Sequence, residues 1–205
     1  MSIADKFEVI ADEVYEKGVS DGQIAFVDNY IDSKNGEFTN AFYRWENTYY
    51  KPTKNIQASV LASTYSYSTI TDTLVDITFM GTSIGSVFYM ANKLQTIKNL
   101  ILTQDTSFAN SIFGQCISLK NLTISGDGKI INSTTLQYSK SLSEKSIRSV
   151  VNALSPIVTG QTITFSKQAV NSAFEIDVDD ETTWEEGSEY RKLIQTKPNW
   201  TFNHV

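Results

Sequence analysis

The sequence predicts an α+β fold: a short solenoid of strand-plus-helix units, each of about 25 residues, set between an N-terminal helix and a C-terminal cap. Three observations carry this expectation. One fixed shift lays Val75-Asp76-Ile77 over Leu100-Ile101-Leu102, Val87-Phe88 over Ile112-Phe113, Ala91 over Cys116, Leu94 over Leu119 and Ile97 over Leu122. Within the unit the apolar period changes: Val75, Ile77 and Phe79 alternate with polar residues as in a half-buried strand, whereas Ile84, Val87, Phe88 and Ala91 follow at helical steps. The flanks of this stretch also differ from it, with aromatic, hydroxyl-rich sequence before and helix signals after. Units of this kind cannot bury their apolar face alone, so each must stack on the next.

Ser2 and Asp5 open the N-terminal helix with a capping hydroxyl and an acid at the positive end of the dipole. Ile3, Phe7, Ile10 and Val14 form a short heptad seam. Two readings stay open for it: docking on the chain's own repeat domain, or bundling with copies of itself in a homo-oligomer, a trimer being the candidate state. Gly18, Gly22 and Asp32-Ser-Lys-Asn-Gly36 read as a linker, so residues 1–36 are expected to be an attachment module and residues 37–205 the repeat domain.

Residues 37–73 are rich in Tyr, Thr, Ser and Asn, and their aromatic and β-branched content predicts strands and turns, with Thr64–Ser68 alternating and Pro52 marking a break. These aromatics either cap the first unit or stand exposed as stacking platforms. Trp45, Tyr49, Tyr50, Tyr65 and Tyr67 are the candidate binding residues under the second reading. The units themselves are placed at 74–140, with Gly126-Asp127-Gly128 read as a hairpin-like turn. Residues 141–205 are the expected cap. There Ser141 and Glu144 form a capping box for a helix stopped by Pro156, Thr162–Phe165 a strand, and Ser166 the cap of a further helix. A last helix from about Thr183 leads to a terminal strand with Trp200 and Phe202.

Composition narrows the function. An apolar fraction of 40% and an aromatic fraction of 12% in 205 residues describe a folded chain. No stretch has the apolar length of a membrane span, and the first residues lack the pattern of a secretory signal, so no membrane partner is expected. The charge of −6 is concentrated in an acidic run from Glu175 to Glu189 that holds no base, while the basic residues form no stripe for nucleic acid. Asp177, Asp179 and Glu181 start like a calcium loop, but Thr182 replaces the turn glycine and Ser188 the bidentate glutamate, so no metal site is expected. Cys116 is alone and aligned with Ala91, which makes it a buried small residue, and His204 is the single histidine. No catalytic motif or cofactor fingerprint is present, and a non-enzymatic protein is expected.

The pattern Phe113-x-x-Cys116-x-x-Leu119-x-x-Leu122-x-Ile124, preceded by Phe88-x-x-Ala91-x-x-Leu94-x-x-Ile97, resembles the BspA-like class of leucine-rich repeat. The closing segment, through Thr162-Ile-Thr-Phe165 to Lys197-Pro-Asn-Trp200-Thr-Phe202, resembles the end of such proteins in phages and prophages of gut Firmicutes. The resemblance implies a structural or binding protein of a phage particle (tail, baseplate or head appendage), located on the virion. Its implied partners are other virion proteins, copies of itself, and a host surface protein or glycan. A bacterial surface adhesion or protein-interaction module is the alternative function, and the bacterial cell surface or the cytoplasm before assembly are the alternative locations. A carbohydrate-active enzyme is the second alternative and would need a cleft with two facing carboxylates.

Overall fold

The computed structural model describes residues 23–46, 50–180 and 188–205. The seam residues Ile3, Phe7, Ile10 and Val14 lie outside the described residues, as do Tyr49, Glu181 and the expected start of the last helix at Thr183. The chain is a mixed α/β structure with parallel sheets. Its helices are α1 (residues 23–33), α2 (Glu144–Ala153), α3 (Lys167–Phe174) and α4 (Glu189–Gln195). Strands β1 (Ile56–Ala58), β2 (Asp72–Phe79), β4 (Thr96–Leu102) and β6 (Asn121–Ser125) form one sheet in that order. Strands β3 (Ser83–Ile84) and β5 (Ser107–Phe108) form a second, and β7 (Thr134–Leu136), β8 (Gln161–Phe165) and β9 (Trp200–His204) a third. Every one of these pairings is parallel.

The alternation in the sequence produces the first sheet. Val75, Ile77 and Phe79 of β2, Ile97, Leu100 and Leu102 of β4, and Leu122 and Ile124 of β6 all point into the core. Their register differs by two residues from the one the sequence suggested. Ile77 pairs with Leu100 and Phe79 with Leu102, whereas Ile97 does pair with Leu122 as expected. Irregularities between Thr73 and Asp76 and between Ile97 and Leu100 take up the difference. A slip of two leaves every side chain on its own face, so the apolar pattern is blind to it.

The helices expected in the units, the first over residues 83–93, do not form. Strands β3 and β5 stand in their place, each followed by a turn. The amides of Phe88 and Met90 donate to the carbonyls of Ile112 and Gly114 on the next turn (3.0 and 2.7 Å) instead of to a residue four back. Met90 and Gln115 also take left-handed backbone (φ 57° and 61°), which ends any helix. Thr64–Ser68, expected as a strand, is likewise a turn. Tyr65 and Tyr67 donate to Val87 and Tyr89 across it, and Tyr67 is left-handed (φ 58°).

Inside these turns runs a column of rings: Phe42 on Tyr65 (centroids 5.1 Å, planes 19°), Tyr65 on Phe88 (5.5 Å, 11°) and Phe88 on Phe113 (5.8 Å, 3°). Each such pair contributes about 0.5–1.5 kcal/mol beyond its buried area. Beside the column the chain needs small residues, and Ala91 and Cys116 are fully buried there. The Cys116 thiol donates to the Phe88 carbonyl (2.9 Å), and the Ser139 hydroxyl to the Cys116 carbonyl (3.2 Å).

Helix α1 occupies part of the stretch expected as a linker. Val27 and Ile31, one helical turn apart, are buried, and left-handed Asn35 and Gly36 terminate the helix. Asp28 fixes it to the segment before β1: its carboxylate accepts from the Thr53 amide (2.8 Å) and the Thr53 hydroxyl. Burial acts to raise that carboxyl, the Thr53 hydrogen bonds outweigh burial, and its pKa ends below the usual value.

The far edge of the first sheet is closed by a helix. Ser146 and Ser149, three apart on one face of α2, replace a neighbouring strand for β6. Ser146 Oγ accepts from the Leu122 amide (2.9 Å) and donates to the Lys120 carbonyl (3.1 Å). Ser149 Oγ accepts from the Ile124 amide (2.7 Å) and donates to the Ile124 carbonyl (3.1 Å). An open strand edge is thereby satisfied without another strand. The N-cap of α2 is Ser143, whose side chain accepts from the Ser146 amide, and not Ser141. Glu144 instead pairs with Arg148 one turn on. Ser166 stands at the N-cap of α3 but makes no side-chain capping bond.

Gly126 and Gly128 serve a close approach and not a hairpin, since β6 and β7 lie in different sheets. A Cβ at Gly128 would stand 2.1 Å from the Gln104 carbonyl oxygen. In the third sheet Ile163 pairs with Thr134 and Phe202, Tyr190 of α4 meets Phe174 (4.9 Å), and the Trp200 indole donates to the Ser155 carbonyl (2.8 Å).

Candidate functional site

The turns that bury Phe42, Tyr65 and Phe88 present other rings outward. Tyr43 and Tyr67 are each 39% exposed and Tyr89 is half-buried. Their rings form a row: Tyr43 meets Tyr67 at 5.5 Å and Tyr67 meets Tyr89 at 5.8 Å, both edge to face. Beyond Tyr89 the row has room because residue 114 is glycine, where a Cβ would stand 2.9 Å from the Tyr89 ring. The Arg44 guanidinium lies 5.3 Å from the Tyr43 ring and 5.8 Å from the Tyr67 ring. Both distances are within cation–π range.

The backbone makes this arrangement. Arg44 and Tyr67 are left-handed (φ 54° and 58°), and each is held by its own amide donating to the adjoining turn, Arg44 to Ser66 (3.0 Å) and Tyr67 to Tyr89 (2.9 Å). Left-handed backbone is costly for residues other than glycine and persists only where the surroundings over-determine it. Here the inter-turn hydrogen bonds do so.

The structure divides the five candidate binding residues. Tyr50 and Tyr65 are fully buried, their hydroxyls share a 2.7 Å hydrogen bond, and burial raises both phenols above their ordinary pKa. They belong to the cap of the core. Trp45 is partly buried against Phe42 (5.3 Å) and Tyr30 (5.5 Å), under an exposed Phe26 (6.2 Å). Its indole nitrogen is buried without a hydrogen-bond partner among the described residues. Tyr49 lies outside the described residues. Tyr67 alone of the described four stands in the outward row, where the structure joins it to Tyr43, Arg44 and Tyr89. Spacing in the sequence holds a signal for these three. Tyr43, Tyr67 and Tyr89 recur at nearly the interval of the buried ring column, offset by one or two residues.

Other surfaces are less distinctive. A shallow groove between α2 and β6 is lined by Glu144, Arg148 and Asn152, and Arg148 is already paired with Glu144 (2.7 Å) and Glu189 (3.2 Å). A second groove runs beside β1 between Asp32, Phe38, Gln57 and Met80, and a third follows β9 between Ile194, Pro198 and Phe202. In the acidic run Asp179 is paired with Lys167 (2.8 Å), and among the described residues no group of three metal-ligating side chains occurs. No helix among the described residues is long and apolar enough to cross a membrane.

Comparison of the chain with protein-family models, with curated proteins and with solved structures finds no match to any of them.

Proposed function

We propose that this chain is a non-enzymatic structural and binding protein of the leucine-rich-repeat class, carried on a phage particle, and that its outward tyrosine row is the binding face. The observation that carries the reading is the division of labour within the same turns: one column of rings is consumed by the core, and the neighbouring row is left to solvent with a cation set into it. Stacked equivalent units are supported by the parallel strands and by the return of a left-handed residue at Arg44, Tyr67, Met90 and Gln115. Location on a tail, baseplate or head appendage rests on the resemblance of the closing segment.

The N-terminal segment assembles copies of the chain, as a trimer, and presents several binding faces at once. Weak sites gain strength from such multiplicity. Two measurements test the reading. Mass spectrometry of purified particles is expected to find the chain at a stoichiometry set by particle symmetry, and recovery only in the cell envelope would transfer the assignment to an adhesion module. Deleting Met1 to Val19 is expected to leave the fold intact while lowering the sedimenting mass. A monomer both before and after deletion overturns the assembly role.

A further inference from the structure

We infer that the row Tyr43–Arg44–Tyr67–Tyr89 binds a carbohydrate chain carrying carboxylate groups. The inference rests on the reading of this row as the binding face and names its ligand class.

Arg44 carries the sign of the charge. It is exposed, forms no ion pair among the described residues, and lies within cation–π distance of two phenol rings in a chain whose net charge is −6. Arg148 is instead paired with Glu144 and Glu189. A guanidinium beside two phenol rings and outside any ion pair among the described residues keeps donors for bidentate capture of a carboxylate.

The rings carry the saccharide. Tyr43 and Tyr67 stand open to solvent beside the half-buried Tyr89, and none of the three lines the grooves described above. Each supplies a flat apolar face with a hydroxyl at its rim, the match for a sugar ring with its C–H face and outward hydroxyls. The rings lie edge to face at centroid steps of 5.5 and 5.8 Å, so a chain of sugars running along the row meets ring faces and ring edges in turn. Tyrosine brings this area with little rotamer entropy to lose.

Titration calorimetry of the full chain tests the inference with two acidic probes, tetragalacturonic acid and 3′-sialyllactose. Their neutral counterparts are the methyl-esterified tetramer and lactose. Binding to the first probe alone assigns a uronate polymer, and binding to the second alone a sialylated end. Arg44→Asn, which suits the left-handed backbone, is expected to weaken the bound acid about ten-fold, and Tyr43→Ser to weaken acid and neutral forms alike, both with an unchanged melting temperature. Added salt is expected to weaken the acidic probe. Equal binding of acidic and neutral forms overturns the inference, as does no binding of either acid at millimolar concentration. If the sugars fail while Tyr43→Ser and Arg44→Asn still abolish attachment of particles to host cells, the binding face stands and only its ligand class falls. If attachment is also unchanged, both fall.

Discussion

Replacing Ser146 by alanine removes one hydroxyl and tests how the edge of the first sheet is closed. That hydroxyl is the partner of the Leu122 amide, and Leu122 and Ser146 are each only 2% exposed, so no water replaces it. A buried amide left unpaired costs about 1–3 kcal/mol. Alanine's higher helix propensity returns about 0.5 kcal/mol, so a net loss of about 0.5–2.5 kcal/mol is expected. Ser149→Ala is the internal control. Its bonds to Ile124 have similar geometry, but Ser149 is half-buried and solvent can substitute, so its loss should stay below about 1 kcal/mol. Urea unfolding with an unchanged slope measures both, and amide exchange should show Leu122 losing protection in the first variant. A Ser146→Ala protein within about 0.3 kcal/mol of the parent, or one more stable than Ser149→Ala, would refute the edge-closing argument.

Three further outcomes are expected. Leu119 is fully buried, so Leu119→Ala should cost about 2–5 kcal/mol in thermal or urea unfolding. Burial pushes the Cys116 thiol up to about 12, and its labelling by a thiol reagent should therefore follow the global unfolding rate; fast labelling of the folded chain would contradict its burial. Burial, helped by the Lys167 ammonium and opposed by Asp179, holds the His204 imidazole below its ordinary 6.5. A group depressed in the fold binds fewer protons folded than unfolded, so stability is full above 6.5 and falls as pH drops below it. Because His204 is the chain's single histidine, His204→Gln should flatten the melting temperature between about pH 8 and 5.5.

Strand signals were legible in the sequence where one face is buried against one partner. The alternation in Val75–Phe79 and Thr162–Phe165 placed β2 and β8, and the apolar steps Ile147, Val150, Val151 and Leu154 placed α2. What failed was the period-three-and-four pattern over Ile84 to Ala91. Apolar residues at those steps suit a helix, and they equally suit a tight turn whose amides bond to the next turn, because both return the chain to the same side every three or four residues. Local periodicity does not contain the partner of an amide. The same limit explains Thr64–Ser68, whose alternation is that of a strand although Tyr65 and Tyr67 donate across to Val87 and Tyr89 within a turn.

The candidate site shows that limit at single-residue scale. Tyr65 and Tyr67 are two positions apart and chemically identical, yet one is fully buried in the ring column and the other stands 39% exposed in the outward row. No composition rule separates them, since tyrosine suits either environment. The sorting comes from the backbone: the left-handed residue at 67 turns the chain, and the 2.9 Å bond from its amide to Tyr89 holds it there against the cost of that conformation. The adjoining turn repeats the device at Met90, bonded to Gly114 at 2.7 Å, and there the neighbouring, half-buried Tyr89 supplies the next ring of the row. Each turn therefore needs the following turn in place before its outward ring is positioned. Assembly of the face and completion of the core are then one event, and a variant that loosens the column at Phe88 should lose the row at Tyr67 and Tyr89 with it.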